Sequence, residues 1–312
     1  MDDLIEKLLT ENQEDRLDWN DYFNHQFFEE TQNYKNIYEI RKNIGNSKYA
    51  KIYSAIERKT KQKRAIKIYN KNSIRADFIR NSIKNPDRNT IKPYIKGFYN
   101  EINLMKMIEK DGNNEYSVKL YEYFNTKDEF IIVMELCDGN LLELFLERKN
   151  PFNFQEIKNI LKQLNQSFYI MTENQVVHRA LNMDNILIKY QDKNNYIIKL
   201  KLTDDCLINN ENYDEYLIKD ENKNFVAPEI LKKNKYIEKS DLWSLGVIIY
   251  ILALKNYPYQ GEKNNEILNA IKNMKLQKTK NKNLDDLIEK LLIEDPIKRM
   301  SWNEYFNHPF LK

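Results

Sequence analysis

The sequence predicts an α+β chain in two lobes, a smaller strand-rich one followed by a larger helical one, and three observations carry that prediction. Between residues 34 and 70, and again between 116 and 136, short runs rich in Ile, Tyr and Val are bounded by turn residues, as strands are. From about Leu141 the apolar residues recur at helical spacing instead. Within that second stretch the run SDLWSLGVIIYILAL is apolar on nearly every side, which places a helix inside a core and not on a surface.

Composition sets the outer limits. A chain of 312 residues has room for one large domain or two ordinary ones, and 41% apolar against 31% charged residues suits a water-soluble core. Fifty basic residues face 47 acidic ones, so the net charge of +3 implies no bulk attraction to nucleic acid. Cys137 and Cys206 are too few for a disulfide scaffold or a cysteine zinc site. The histidines, His25, His178 and His308, are likewise too few to suggest a histidine metal site. The opening MDDLIEKLLTEN is acidic and amphipathic, unlike a secretory signal. The longest apolar run, within residues 242–254, is too short to span a bilayer, so a cytoplasmic protein without membrane or nucleic-acid partners is expected.

The strand region reads as YKNIYEIRKNIG, AKIYSAIER and RAIKIYN, three antiparallel strands, with YSVKLYEYF and EFIIVMEL as two more. FYNEINLMKMIEK between them reads as a helix. Residues 71–97 hold seven bases, two acids and the breakers Pro86 and Pro93, and are expected to form an insertion. Its bases make a solvated face, or alternatively a phosphate-binding one. The smaller lobe is expected at 34–135 and the larger at 136–312, joined near residues 135–139, and a cleft between lobes is a natural ligand site.

One repeat stands outside this plan. Residues 2–29 align without gaps to residues 285–312, with 17 of 28 positions identical, including DDLIEKLL, Arg16 with Arg299, Trp19 with Trp302, and YFNH. An offset of 283 residues is far too long for a solenoid. Residues 1–33 therefore read as a duplicated helical tail, either the end of a preceding domain in a tandem array or a segment that packs on a neighbouring copy.

Several short motifs then follow in order: IGNSKYAKIY, AIK, a helical glutamate at Glu101, VHRALNMDNILI, LTDDC, APE and SDLWSLG. Together they resemble the protein kinase family, in its Ser/Thr-kinase-like form, over residues 34–312. The resemblance implies the kinase fold, with ATP as ligand and magnesium as its counterion. Lys67 would meet the α- and β-phosphates while Glu101 holds it in place. Asn185 and Asp204 would bind magnesium through hard oxygens. Gly45, Ser47, Ile52, Ala65, Met134, Glu135, Cys137 and Leu187 would line the nucleotide. His178, Arg179, Asp241 and the pair Glu229–Arg299 would hold the architecture.

The departures from the family pattern are as informative as the matches. The aspartate that accepts the substrate proton is replaced by Ala180, and such a base is worth about 10²–10⁴ in rate. The lysine that follows it by two positions is Asn182, and the second and third loop glycines are Ser47 and Ala50. Asp205 and Cys206 replace Phe-Gly, which should disturb an apolar stack and fix or break the switch. Asn222 replaces a substrate-positioning threonine, and residues 204–229 contain no serine or threonine to phosphorylate. Tyr213 and Tyr216 remain as candidate phosphosites, and Asp214, Glu215, Asp220 and Glu221 could pair with Arg179 in place of a phosphate. These features imply an ATP-binding pseudokinase with a protein partner. A slow or atypical kinase, and a kinase fold that binds no nucleotide, remain the alternatives.

Overall fold

Asn33 sets the first described element, because its side chain accepts from Lys35 N at 3.1 Å and starts a helical turn, α1 (Tyr34–Ile37). A strand was expected to start at Tyr34; the cap and the bond from Tyr34 Oη to Glu129 at 2.9 Å favour the turn instead. The computed structural model describes residues 33–46, 50–74, 92–109, 114–192, 195–203, 207–208, 220–233 and 236–312. They fall into two compact units. One holds the described residues up to Lys106 with Lys119–Leu136, and the other Met107–Val118 with Cys137–Lys312.

The first unit is an antiparallel sheet of β1 (Tyr38–Asn46), β2 (Ala50–Glu57), β3 (Lys63–Asn70), β4 (Leu120–Asn125) and β5 (Glu129–Glu135), in the order β1-β2-β3-β5-β4. One cluster buries Tyr38, Ala55, Ile66, Ile131 and Val133, which is where the Ile/Tyr alternation of these strands finds its core. Helix α2 (Lys92–Glu109) buries Phe98, Ile102 and Met105 at the i, i+4, i+7 spacing of one helical stripe. Phe98 stacks on Phe130 with ring centroids 4.7 Å apart.

The basic stretch 71–97 is not wholly an insertion. Lys71 bonds Asn125 Oδ1 at 2.7 Å and the Thr126 carbonyl, and its ammonium lies 4.2 Å from the Phe130 ring centre. Ile74 is fully buried. At the other end Pro93 sits in the first turn of α2, where its missing N–H costs nothing, and so begins a helix where the sequence suggested a break. Residues 75–91 lie outside the described residues, as do residues 1–32 with the N-terminal repeat.

The second unit contains the small sheet β6 (Gly139–Asn140), β8 (Ile186–Tyr190) and β9 (Tyr196–Leu200), and a pair of β7 (Val176–Val177) with β10 (Leu207–Ile208). Its helices are α3 (Leu141–Glu147), α4 (Phe154–Glu173), α5 (Pro228–Lys233), α6 (Ser240–Leu254), α7 (Asn264–Lys272), α8 (Lys282–Leu291) and α9 (Trp302–Phe306). Capping boxes, Asn140 with Glu143 and Asn153 with Glu156, start α3 and α4. Every residue of α6 from Ser240 to Leu252 is buried, as its all-round apolarity requires. Gly246 makes this close packing possible. A Cβ there would meet Leu291 Cβ at 2.8 Å and Leu292 Cδ2 at 2.9 Å.

Candidate active-site residues

In the first unit the strand period does the positioning. Ala65, Lys67 and Tyr69 share one face of β3. Lys67, 2% exposed, donates to Glu101 Oε1 at 3.0 Å and Oε2 at 2.8 Å. Tyr69 Oη adds a third bond to Glu101 Oε2 at 2.7 Å, and Lys67 Nζ lies 4.8 Å from the Tyr69 ring centre. Glu101, 1% exposed, thus accepts three hydrogen bonds from two side chains, which is how a carboxylate remains tolerable in a dry interior. Tyr69 escaped the reading of the sequence, although the two-residue step from Lys67 was the signal for it.

Ile52 pairs across to Lys67 and Gly45, and Met134 pairs with Ala65 and Leu120. Ala65 and Met134 are buried and Ile52 is half-buried. A Cβ on Gly45 would meet only Ile52 Cδ1 at 3.7 Å, an ordinary contact, so packing does not itself require glycine there. The Glu135 amide donates to the Lys119 carbonyl at 2.9 Å. Ser47 lies outside the described residues.

In the second unit a buried carboxylate shapes the loop around His178 and Arg179. Asp241 accepts the amides of His178 at 2.7 Å and Arg179 at 3.0 Å. Those bonds hold Arg179 at φ 64°, a left-handed conformation that a side chain normally avoids. Tyr236 Oη donates to the Arg179 carbonyl, and the Arg179 guanidinium lies 5.2 Å from the Tyr236 ring centre. His178 is fully buried; burial holds it down to about 4, so the ring is neutral. Its Nε2 lies 3.0 Å from the Lys201 carbonyl and must donate, leaving Nδ1 to accept the Ala180 amide at 3.3 Å. Burial raises Asp241 to about 6, against the pull of the two amides.

Ala180 therefore sits in a loop whose backbone is fully braced. Its carbonyl accepts from Asn185 Nδ2 at 2.8 Å. Asn182 is 2% exposed, and its Oδ1 accepts from Asp184 N at 2.9 Å and Asn185 N at 3.0 Å, capping the 3₁₀ turn Met183–Asn185. That side chain faces its own backbone, an arrangement a lysine at this position could not make. Leu187 is half-buried in β8, opposite Asn140 and Lys199. Cys137 is half-buried and forms no disulfide among the described residues.

Asn185 can be tested as a magnesium ligand. The bond from Nδ2 to Ala180 orients the amide, so Oδ1 offers the hard oxygen this cation prefers. Lys201 Nζ already stands 3.3 Å from Oδ1, a positive charge that an arriving cation must displace. Asn185 thus fits in donor type and orientation. Its expected partner Asp204 lies outside the described residues, as do Asp205, Cys206, Tyr213, Asp214, Glu215 and Tyr216, together with the side chains of Asp220, Glu221 and Asn222. Among the described residues no cluster of three or more His, Cys, Asp or Glu is placed to hold a metal. Neither Lys201 nor Tyr236 carried any signal in the sequence, since their roles depend on tertiary contacts alone.

The remaining expected pair is formed at full strength. Arg299 meets Glu229 through two parallel bonds, Nη1 to Oε1 at 2.8 Å and Nη2 to Oε2 at 2.9 Å. It also donates to the carbonyls of Lys239 at 2.8 Å and Ile293 at 3.1 Å.

A five-stranded sheet with a buried Lys-Glu pair, followed by a helical unit that braces a His-Arg loop on a buried aspartate, defines the protein kinase fold. The comparisons agree, and the chain belongs to this family. The protein kinase domain model matches residues 38–311. Myosin light chain kinase A of Dictyostelium discoideum is 27% identical over 282 residues, covering 88% of each chain. Calcium-dependent protein kinase 5 of Plasmodium falciparum is 30% identical over 238 residues, 75% of this chain and 37% of that one. Serine/threonine-protein kinase atg1 of D. discoideum is 28% identical over 285 residues, 88% of this chain and 39% of that one. The chain thus spans about two fifths of the length of the latter two relatives. Membership implies ATP and magnesium as ligands. No helix among the described residues is long and apolar enough to cross a membrane.

Proposed function

We propose that this kinase domain, residues 34–312, binds ATP but transfers its phosphate very weakly or not at all, and that it acts in the cytoplasm as a scaffold or allosteric partner in phosphorylation signalling. The observation that carries the reading is Ala180 inside a loop whose backbone is fully braced. His178, Arg179, Asp241 and Asn185 brace a backbone that has no carboxylate at position 180. A methyl group can neither accept a proton nor orient an attacking hydroxyl. The lysine expected at Asn182 is also missing, and because both losses act on one transition state they need not multiply.

Binding rests on different residues. Lys67, fixed by Glu101 and Tyr69, supplies a positive charge for the α- and β-phosphates without ordering a loop. Gly45, Ser47, Ile52, Ala65 and Leu187 are assigned to the faces of the nucleotide. Met134, Glu135 and Cys137 are assigned to its adenine edge. Magnesium, held by Asn185 and Asp204, would neutralise phosphate charge when bound. ATP at a hundredfold excess over its dissociation constant would then stabilise the chain by about 2.7 kcal/mol.

A slow or atypical Ser/Thr kinase is the second reading. The formed Lys67–Glu101 pair and the relatives' printed names, which are those of kinases, favour it. A fold that binds no nucleotide is the third, and the lysine against Asn185 Oδ1 favours that one. One experiment separates them: melting with ATP, with and without magnesium, beside phosphate transfer by the native chain and by Ala180→Asp. A melting shift without transfer supports the proposal. Transfer by the native chain that vanishes in Lys67→Met supports the slow kinase, and no shift under any condition leaves the bare fold.

A further inference from the structure

The repeat was not absorbed by this function, and the contacts of its C-terminal copy show what it can do. Residues 285–312 bury ten side chains: Leu287, Ile288, Leu291, Leu292, Arg299, Met300, Tyr305, His308, Phe310 and Leu311. Eight of the ten are identical in residues 2–29, and the other two are apolar exchanges, Leu17 for Met300 and Phe28 for Leu311. The remaining nine differences all fall on positions that are not buried. A segment merely drifting in sequence has no reason to sort its changes by burial.

The residue types that make the outward contacts of 285–312 are kept as well. Leu8 and Leu9 match Leu291 and Leu292, which lie over Gly246. Arg16 matches Arg299, which binds Glu229. Trp19 matches Trp302, whose ring packs 5.2 Å from Phe168 and whose Nε1 donates to the Glu238 carbonyl at 3.2 Å. Tyr22 matches Tyr305, which bonds Asn165 at 2.8 Å. Even the internal pair of His308 with Asp286, at 2.9 Å, has its counterpart in His25 and Asp3. The N-terminal copy also carries nine acids and two bases where the C-terminal copy carries six and four. Lys232, which already binds Glu294, and Lys239, which bonds the Arg299 carbonyl, stand at the groove to meet that charge.

We propose that residues 2–29 of one molecule seat in the α4–α5–α6 groove of a second copy of this chain, in place of that copy's own residues 285–312. Each molecule has one groove and two segments able to fill it, so one segment is always surplus. The two segments therefore compete for each groove, and every exchange frees the tail it displaces. The linker from Glu29 to Tyr34, residues 30–33, spans roughly 17 Å when extended. A second molecule approaches freely, so its groove is not held at a fixed distance from Tyr34.

Sedimentation velocity of the full chain over a range of concentrations tests this, with folding followed by circular dichroism. Arg299→Ala loosens the resident tail and is expected to strengthen association at least tenfold over the native chain. Adding Arg16→Ala is expected to return that variant to monomer. Tyr305→Phe, which removes only the bond to Asn165, is the gentler route if Arg299→Ala fails to fold, and Tyr22→Phe should reverse its effect. Association that is indifferent to Arg16→Ala and Tyr22→Phe overturns the proposal and leaves a tandem-array remnant. Folded variants that stay monomeric also overturn it. In that case a melting temperature that falls further with Arg16→Ala would assign the exchange to a single molecule.

Discussion

The Lys67 pair and the Ala180 loop have been treated very differently by their sequences. In the first unit the lysine, its carboxylate partner and a supporting tyrosine are all in place and all buried. In the second the backbone is braced around Ala180, whose side chain is a methyl group. The contrast follows from what each residue is worth to the fold. Removing one member of a buried ion pair leaves an uncompensated charge, so the pair resists change for structural reasons as well as functional ones. The bonds that brace position 180 use its backbone amide and carbonyl, so they do not depend on which side chain stands there. Lys67 and Glu101 on their own are therefore weak evidence of activity, and the proposed loss of activity rests on Ala180.

The largest way to break that comparison is to restore the missing group. Ala180→Asp is expected to raise phosphate transfer by about 10²–10⁴, the ordinary worth of a positioned base, yet to stay below a typical kinase because Asn182 faces its own backbone. A radiometric transfer assay that shows no gain would mean the loop is not the sole obstacle. Next in size, Glu101→Ala should cost about 3–5 kcal/mol in a urea melt, since Lys67 is left buried without its carboxylate. A loss below about 1 kcal/mol would undo the claim that the fold itself preserves the pair.

Acid should act on the second unit through His178. Its folded value of about 4 lies below the unfolded value near 6.5, so the unfolded chain takes the proton first. The stability it contributes is complete above pH 6.5 and is lost as pH falls toward 4. Asp241, raised to about 6, takes its proton in the folded state and works the opposite way between pH 6 and 4. Comparing His178→Gln with the native chain isolates the first effect. The native stability should fall more steeply below pH 6.5, by up to about 1.4 kcal/mol per pH unit. Parallel slopes would show that the ring is not buried neutral. Smallest of all, Tyr69→Phe removes one bond to a charged acceptor and should cost about 1–2 kcal/mol, with a weaker melting shift from ATP. An unchanged melt would reduce Tyr69 to a bystander.

The sequence showed the two-lobed kinase fold because its elements carry strong periods and its motifs stand at fixed spacings. Lys67 and Glu101 are 34 residues apart, and α6 is apolar all round. What stayed hidden depended on contacts between distant residues or on one local bond. Asn33 turned the expected start of β1 into a helical turn. Pro93 looked like a break and opens a helix, while Lys71 and Ile74 looked like insertion and are packed on the sheet. Asn182 is legible as a lost lysine, but its role as a cap appears only when the amides of Asp184 and Asn185 are seen to point at it.

The anchoring of Lys71 and Ile74 at one end, and of α2 at the other, has a practical consequence. Extra residues introduced between positions 75 and 91 lengthen the connection between two packed ends, and each doubling of a flexible connection costs only about 0.6 kcal/mol. A fluorescent reporter or an affinity tag can be placed there while both chain ends stay native. That choice leaves residues 2–29 and 285–312 untouched for any measurement of self-association.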